Sequence, residues 1–182
     1  MGNAAGHLKS SSLCMTFREQ LEHWALYLHI SYVMSEVCRE AIRPKIARTE
    51  VSLAMKATCL DSLANTVQGF LGLSRLTSFA SHSWTGLSRA LSSALVLGVV
   101  GEAEVDEKVR SLLSQLLVCL QEIMARNVDG TEISAPIKRW VATLSKLTSN
   151  RQSSSAGTSP LMELGSDDSP YARVDEILWG QI

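Results

Sequence analysis

Apolar residues return at steps of three and four through most of the chain, a spacing that puts them on one side of a helix and predicts five helical segments. Thr16 is placed to cap the first. In it Phe17, Leu21, Trp24, Leu28 and Tyr32 form a stripe, and Pro44 is expected to stop it, because the residue before a proline avoids helical geometry. The second segment runs from about 49 to 71, with Val51, Met55, Thr58, Cys59, Ser62, Leu63, Thr66 and Phe70 in helical register and Gly69 and Gly72 expected to loosen its end. The third carries Trp84, Leu87, Leu91, Ala94, Leu95 and Gly98 on one stripe, with Arg89, Ser92 and Ser93 largely off it. Its small residues Gly86, Ala90 and Ala94 leave room for a neighbouring helix, and Gly101 suits a left-handed C-cap. Asp106 opens a fourth segment with the broad apolar face Val109, Leu112, Leu113, Leu116, Leu117, Leu120, Ile123 and Met124, and Asp106 and Glu107 sit at the positive end of its dipole. After a turn at Asp129-Gly130, a fifth starts near Ser134, admits Pro136 in its first turn, and sets Ile137, Val141, Leu144 and Leu147 on one side.

The pattern fades at both ends. Residues 1–15 are small and polar and read as a disordered leader, 16–148 as the helical domain, and 149–182 as a Ser-rich linker and tail. Beyond the linker, Glu163, Asp167, Asp168, Asp175 and Glu176 oppose Arg173 alone, with Val174, Ile177, Leu178 and Trp179 interspersed. Acidic-hydrophobic mixing is the compositional mark of activation segments, and those four apolar residues are the candidate partner contacts. The competing reading is a solvated tail whose Trp179 folds back onto the domain, for which Lys138, Arg139, Lys146 and Arg151 offer a complementary positive surface.

Composition supports an all-α class. The 182 residues are 46% hydrophobic but only 5% aromatic, and four prolines leave long stretches free to be helical. The net charge of −1 provides no whole-chain attraction for nucleic acid, so direct DNA binding is not expected. Residues 1–16 lack the apolar run of a secretory signal, and no later stretch approaches the ~18 apolar residues of a membrane span. Met1-Gly2-Asn3-Ala4-Ala5-Gly6 resembles a myristoylation start but has Gly6 where Ser or Thr is wanted.

Reactive constellations are absent from the sequence. Cys14, Cys38, Cys59 and Cys119 are at least about twenty positions apart, whereas structural zinc sites start from pairs two to four residues apart. His7, His23, His29 and His82 show no zinc-binding helical spacing. Cys59 and His82 would meet only if two helices packed in one particular register, and a core cysteine is the better account. Arg39, Arg43, Lys45 and Arg48 could form a phosphate or nuclear-import patch, but Glu36, Glu40 and Glu50 flank them, which reads as a solvated helix end. No catalytic, cofactor-binding or metal-binding residue is assigned, and the chain is not expected to be an enzyme.

The wording of several helices adds a further expectation. Leu73-Ser74-Arg75-Leu76-Thr77-Ser78-Phe79-Ala80, Ser83-Trp84, the run from Ser88-Arg89-Ala90-Leu91 to Val96-Leu97-Gly98, Gly101-Glu102 and Lys108-Val109-Arg110-Ser111-Leu112-Leu113 resemble the C-terminal half of the fungal-specific transcription factor domain. This is the helical middle homology region of zinc binuclear cluster regulators. The resemblance covers roughly residues 20 to 147, and Ser169-Pro170-Tyr171 with Ile177-Leu178-Trp179-Gly180 also looks like the C-terminal end of such regulators. It implies a nuclear, non-enzymatic regulatory domain whose partners are proteins of the transcription machinery or another copy of a regulator. The family's six-cysteine DNA-reading cluster has no counterpart here, so the chain is expected to be a piece of a larger regulator, the product of a misplaced gene start, or a stand-alone remnant. A domain lacking its N-terminal packing partners should expose an apolar stripe, and the Leu112 to Met124 face is the expected place. The alternative class is a cytoplasmic helical scaffold or adaptor, tethered to lipid through Gly2.

From the cysteine spacing and the near-zero net charge, the purified chain should carry no stoichiometric zinc and show no specific DNA binding at physiological salt. Elemental analysis and a fluorescence-anisotropy titration check both, and one tightly held zinc per chain would overturn the reading.

Overall fold

The computed structural model describes residues 16–42, 49–78, 80, 83–126 and 135–149, without the side chains of 126, 135–137 and 147–149. They form five long helices and two short ones, with no strand among them: α1 (Phe17–Val37), a 3-10 turn (Arg39–Ile42), α2 (Glu50–Leu76), α3 (Trp84–Val100), α4 (Glu102–Val105), α5 (Glu107–Arg126) and α6 (Ala135–Ser149). The expected all-α class is what the chain adopts.

The caps follow their local chemistry. Thr16 and Glu19 form a reciprocal capping box: Thr16 Oγ1 accepts from the Glu19 amide at 3.3 Å, and Glu19 Oε2 accepts from the Thr16 amide at 2.7 Å. These bonds from Thr16 hold the Glu19 carboxyl below its ordinary value. Gly101 caps α3 at φ 85°, the left-handed conformation expected of it. Asp106 Oδ1 accepts from the Lys108 amide at 2.7 Å at the start of α5. Arg110 ties α5 back to α4 through the Ala103 and Glu104 carbonyls and pairs with Glu107. Helix α1, however, stops at Val37, seven residues before Pro44, where Cys38 turns the chain into the 3-10 segment.

Helices α1 and α2 run antiparallel, since Leu28 meets Gly69, Trp24 meets Gly72, and Cys59 Sγ lies 3.4 Å from the Ser35 carbonyl. Gly69 and Gly72 do not loosen α2, which continues through both to Leu76. They form the notch in which α1 lies. A Cβ on Gly69 would stand 2.8 Å from Leu28 Cβ and 2.9 Å from its Cα and N, and one on Gly72 would run into the Trp24 indole. Gly86 has no such role, because a Cβ there would meet only ordinary contacts near 3.5–3.8 Å. The rest of this interface is also built from small side chains. Ser35, Ser62 and Thr66 are buried, and each hydroxyl donates to a carbonyl one turn back, at 2.7, 2.7 and 2.8 Å.

From Cys59 onward α2 is buried on several sides, because α3 and α5 pack on it as well as α1. Helix α3 is nearly surrounded: Leu91, Ala94, Leu95 and Leu97 are fully covered, and Ala90 is too. The face of α5 built on Val109, Leu112, Leu113, Leu116 and Leu120 closes the core, so the stripe expected to be exposed there is buried. Helix α6 adds Trp140, Val141 and Leu144. Trp140 is 1% exposed beneath Trp84, their ring centroids 5.6 Å apart, while Trp84, expected in the buried stripe, is 45% exposed and serves as its cover. At the start of α2, Val51, Met55 and Thr58 were expected inside but are exposed, as is Phe17 on α1.

Two substitutions in this packing should act with opposite sign. Gly69→Ala gains about 1 kcal/mol of helix propensity but forces overpacking against backbone that costs about 1–3 kcal/mol, so a net loss is expected. Ser93 is 1% exposed, and its hydroxyl has no partner among the described residues, so Ser93→Ala removes an unsatisfied buried group and should raise stability by about 1 kcal/mol. Urea denaturation followed by circular dichroism reads both, and a Gly69→Ala chain as stable as the unsubstituted one would refute the notch.

Candidate functional site

Two surface features stand apart from the core. The first is the outer face of α1. Leu26, Ile30, Val33 and Val37 follow one another at steps of four, three and four, and Met34 lies beside them; the five are between 41% and 67% exposed. The buried residues Leu28, Ser31 and Ser35, with half-buried Trp24, interleave with these on the opposite side. Helix α1 is thus apolar on two faces, one spent on α2 and one uncovered by any described residue. A helix apolar all round is ordinarily buried all round.

The polar edge of this face is held in place. Arg89 of α3 reaches His29 on α1, Nη1 to Nδ1 at 2.6 Å, and its guanidinium also lies 4.8 Å from the centre of the Tyr32 ring. With Arg89 as donor, the His29 Nδ1 lone pair accepts. Glu36 accepts from Arg39 at 3.4 Å, and Glu22 from Arg18 at 2.8 Å. Nearer the N-terminus His23 stacks on Tyr27, and Trp24 meets both edge-on. Burial pushes the Tyr27 hydroxyl above its ordinary pKa, and the Asp61 carboxylate adds to this.

The second feature is an open groove of about 690 Å3 between the end of α2 and the middle of α5, within the size range of small-molecule sites. Arg75 Nη2 donates to Gln115 Oε1 across it at 2.7 Å, Cys119 Sγ lies 3.5 Å from Ser74 Oγ, and Val118 and Glu122 complete the α5 wall. It offers hydrogen-bonding groups and the Glu122 carboxylate, no histidine lines it among the described residues, and the group beside the Cys119 thiol is a hydroxyl, which is no base.

The candidate partner contacts Val174, Ile177, Leu178 and Trp179 lie outside the described residues, as do His82, Arg43, Lys45, Arg48 and Arg151. Cys59 is fully buried with its thiol directed at the Ser35 carbonyl, which is the place of a core cysteine. Lys138, Arg139 and Lys146 are exposed on α6. Among the described residues no three His, Cys, Asp or Glu side chains gather where they could hold a metal ion, and no helix is long and apolar enough to cross a membrane. The outer face of α1 escaped the sequence reading although its signal was present. Leu26, Ile30, Val33 and Val37 have helical spacing as good as the stripe that was chosen, and a second stripe on the same helix is itself the sign of a second contact.

No family model, no curated protein and no solved structure matches this chain.

Proposed function

We propose that this chain is a non-enzymatic regulatory domain that acts on transcription through protein contacts. The observation that carries the reading is the apolar face of α1 that no described residue covers, on a domain whose core is already closed by α2, α3, α5 and α6. Apolar area of that kind is costly to leave in water and marks a contact surface. The transcriptional part rests on the resemblance to the regulatory half of zinc cluster regulators. The segments that carry its wording fall on the end of α2, on α3 and on the start of α5, the helices that meet in the core. Under this reading the chain works in the nucleus, DNA is reached through a partner, and residues 161–182 supply the activation segment.

In that role Val174, Ile177, Leu178 and Trp179 would meet a coactivator as one apolar face, with Asp175 and Glu176 steering it toward a basic groove. Fused to an unrelated DNA-binding domain, residues 161–182 should drive a reporter. The triple variant Ile177→Ala, Leu178→Ala, Trp179→Ala should lose most of that output, since an aromatic anchor alone contributes about 2 kcal/mol or more at such contacts. Equal output from the two tails would refute the transcriptional reading and leave the scaffold or adaptor class.

A further inference from the structure

We infer that the outer face of α1 is a self-association seam, on which a second copy of this chain lays its own α1 antiparallel. The inference rests on the reading of α1 as a contact surface but not on the transcriptional one.

The spacing comes first. Leu26, Ile30, Val33 and Val37 repeat at four, three and four, which is the interval of the a and d positions along which two helices mesh side chains into one another. Ile30 and Val37 then share one of these positions, and Leu26 and Val33 the other. The seam spans about 18 Å of helix, and the whole of α1 about 31 Å. Five side chains at about half exposure present on the order of 500 Å2, the size of patch that marks a functional surface on a single chain. The flanking Glu22, His23, Tyr27 and His29 carry a helix-to-helix contact toward the ~800 Å2 per partner that a stable pair buries.

Charge selects the partner and its direction. Residues 22, 29 and 36 recur every seven positions along one edge of the seam, as Glu22, His29 and Glu36. In an antiparallel pair, with Leu26 opposite Val37 and Ile30 opposite Val33, this edge lies along its own reverse. Glu36 of each copy then faces His29 of the other, where Arg89 is already anchored at 2.6 Å and supplies a fixed positive charge. The two-fold axis repeats the match, so one surface provides both halves. In a parallel pair the same edge would face Tyr27 and Met34, neither of which carries charge.

Sedimentation equilibrium on the full chain tests the seam. The expected result is a particle of twice the single-chain mass. Ile30→Glu and Val33→Glu should each weaken association by about tenfold or more while circular dichroism keeps the helix content of the unsubstituted chain. Val118→Glu, at an exposed apolar position on α5, should leave the mass unchanged. For direction, a mixture of Leu26→Cys and Val37→Cys chains should form a mixed disulfide under mild oxidation, above the background of the native cysteines, and neither should cross-link with itself. A chain that stays single at high micromolar concentration, or a dimer untouched by Ile30→Glu and Val33→Glu, overturns the seam. Self-cross-linking of Leu26→Cys overturns the antiparallel pairing. All of these outcomes are independent of the reporter assay.

Discussion

The approach of α1 to α2 at Gly69 is the constraint on which the rest of the arrangement turns. With Leu28 set close to where a Cβ would otherwise stand, the two helices meet through glycine backbone, small hydroxyl side chains, and the Leu28 and Trp24 side chains that fill the notch. Leu26, Ile30, Val33, Met34 and Val37 lie on the opposite side of α1 and are left for other uses. On its remaining sides α2 takes α3 and α5, so the same helix that holds α1 also anchors the leucine core. Removing the notch would separate a well-packed centre from the one helix that carries the chain's main exposed apolar face.

Much of this was legible in the sequence. The caps at Thr16, Gly101 and Asp106 depend on neighbours in the chain, and they lie where local chemistry put them. The inner face of α5 was equally readable, because its apolar and polar positions separate cleanly. What failed depended on partners distant in the chain. Gly69 and Gly72 have the same local propensity whether or not another backbone lies against them, and only the position of Leu28 and Trp24 makes them a notch. Trp140 belongs to the stripe of Val141 and Leu144 by spacing, and its cover, Trp84, has the spacing of a core residue although it lies at the surface. Helix α1 was the hardest case. With apolar residues on two faces its periodicity does not say which one meets the core, nor that the helix ends at Val37.

For function, surface and interior point the same way. Three reactive side chains are occupied in packing: Cys59 in the α1–α2 interface, His23 in a ring stack, His29 in its contact with Arg89. In the groove beside Cys119, the described partner of the thiol is the Ser74 hydroxyl. The outer face of α1, uncovered by any described residue and edged by charge, is the surface on which the proposed association rests.

The glycine notch also fixes how that seam is presented. For α1 to slide along α2 by one turn, about 5.4 Å, Trp24 would have to leave Gly72 toward Arg75 in one direction, or Leu28 leave Gly69 toward Thr66 in the other, each for a position with a side chain. Neither move is available without parting the helices. The register is therefore locked, and the outer residues of α1 stand at fixed height and azimuth on the domain surface. A surface held this rigidly loses little conformational freedom when it is covered, so more of its apolar area is realised as affinity.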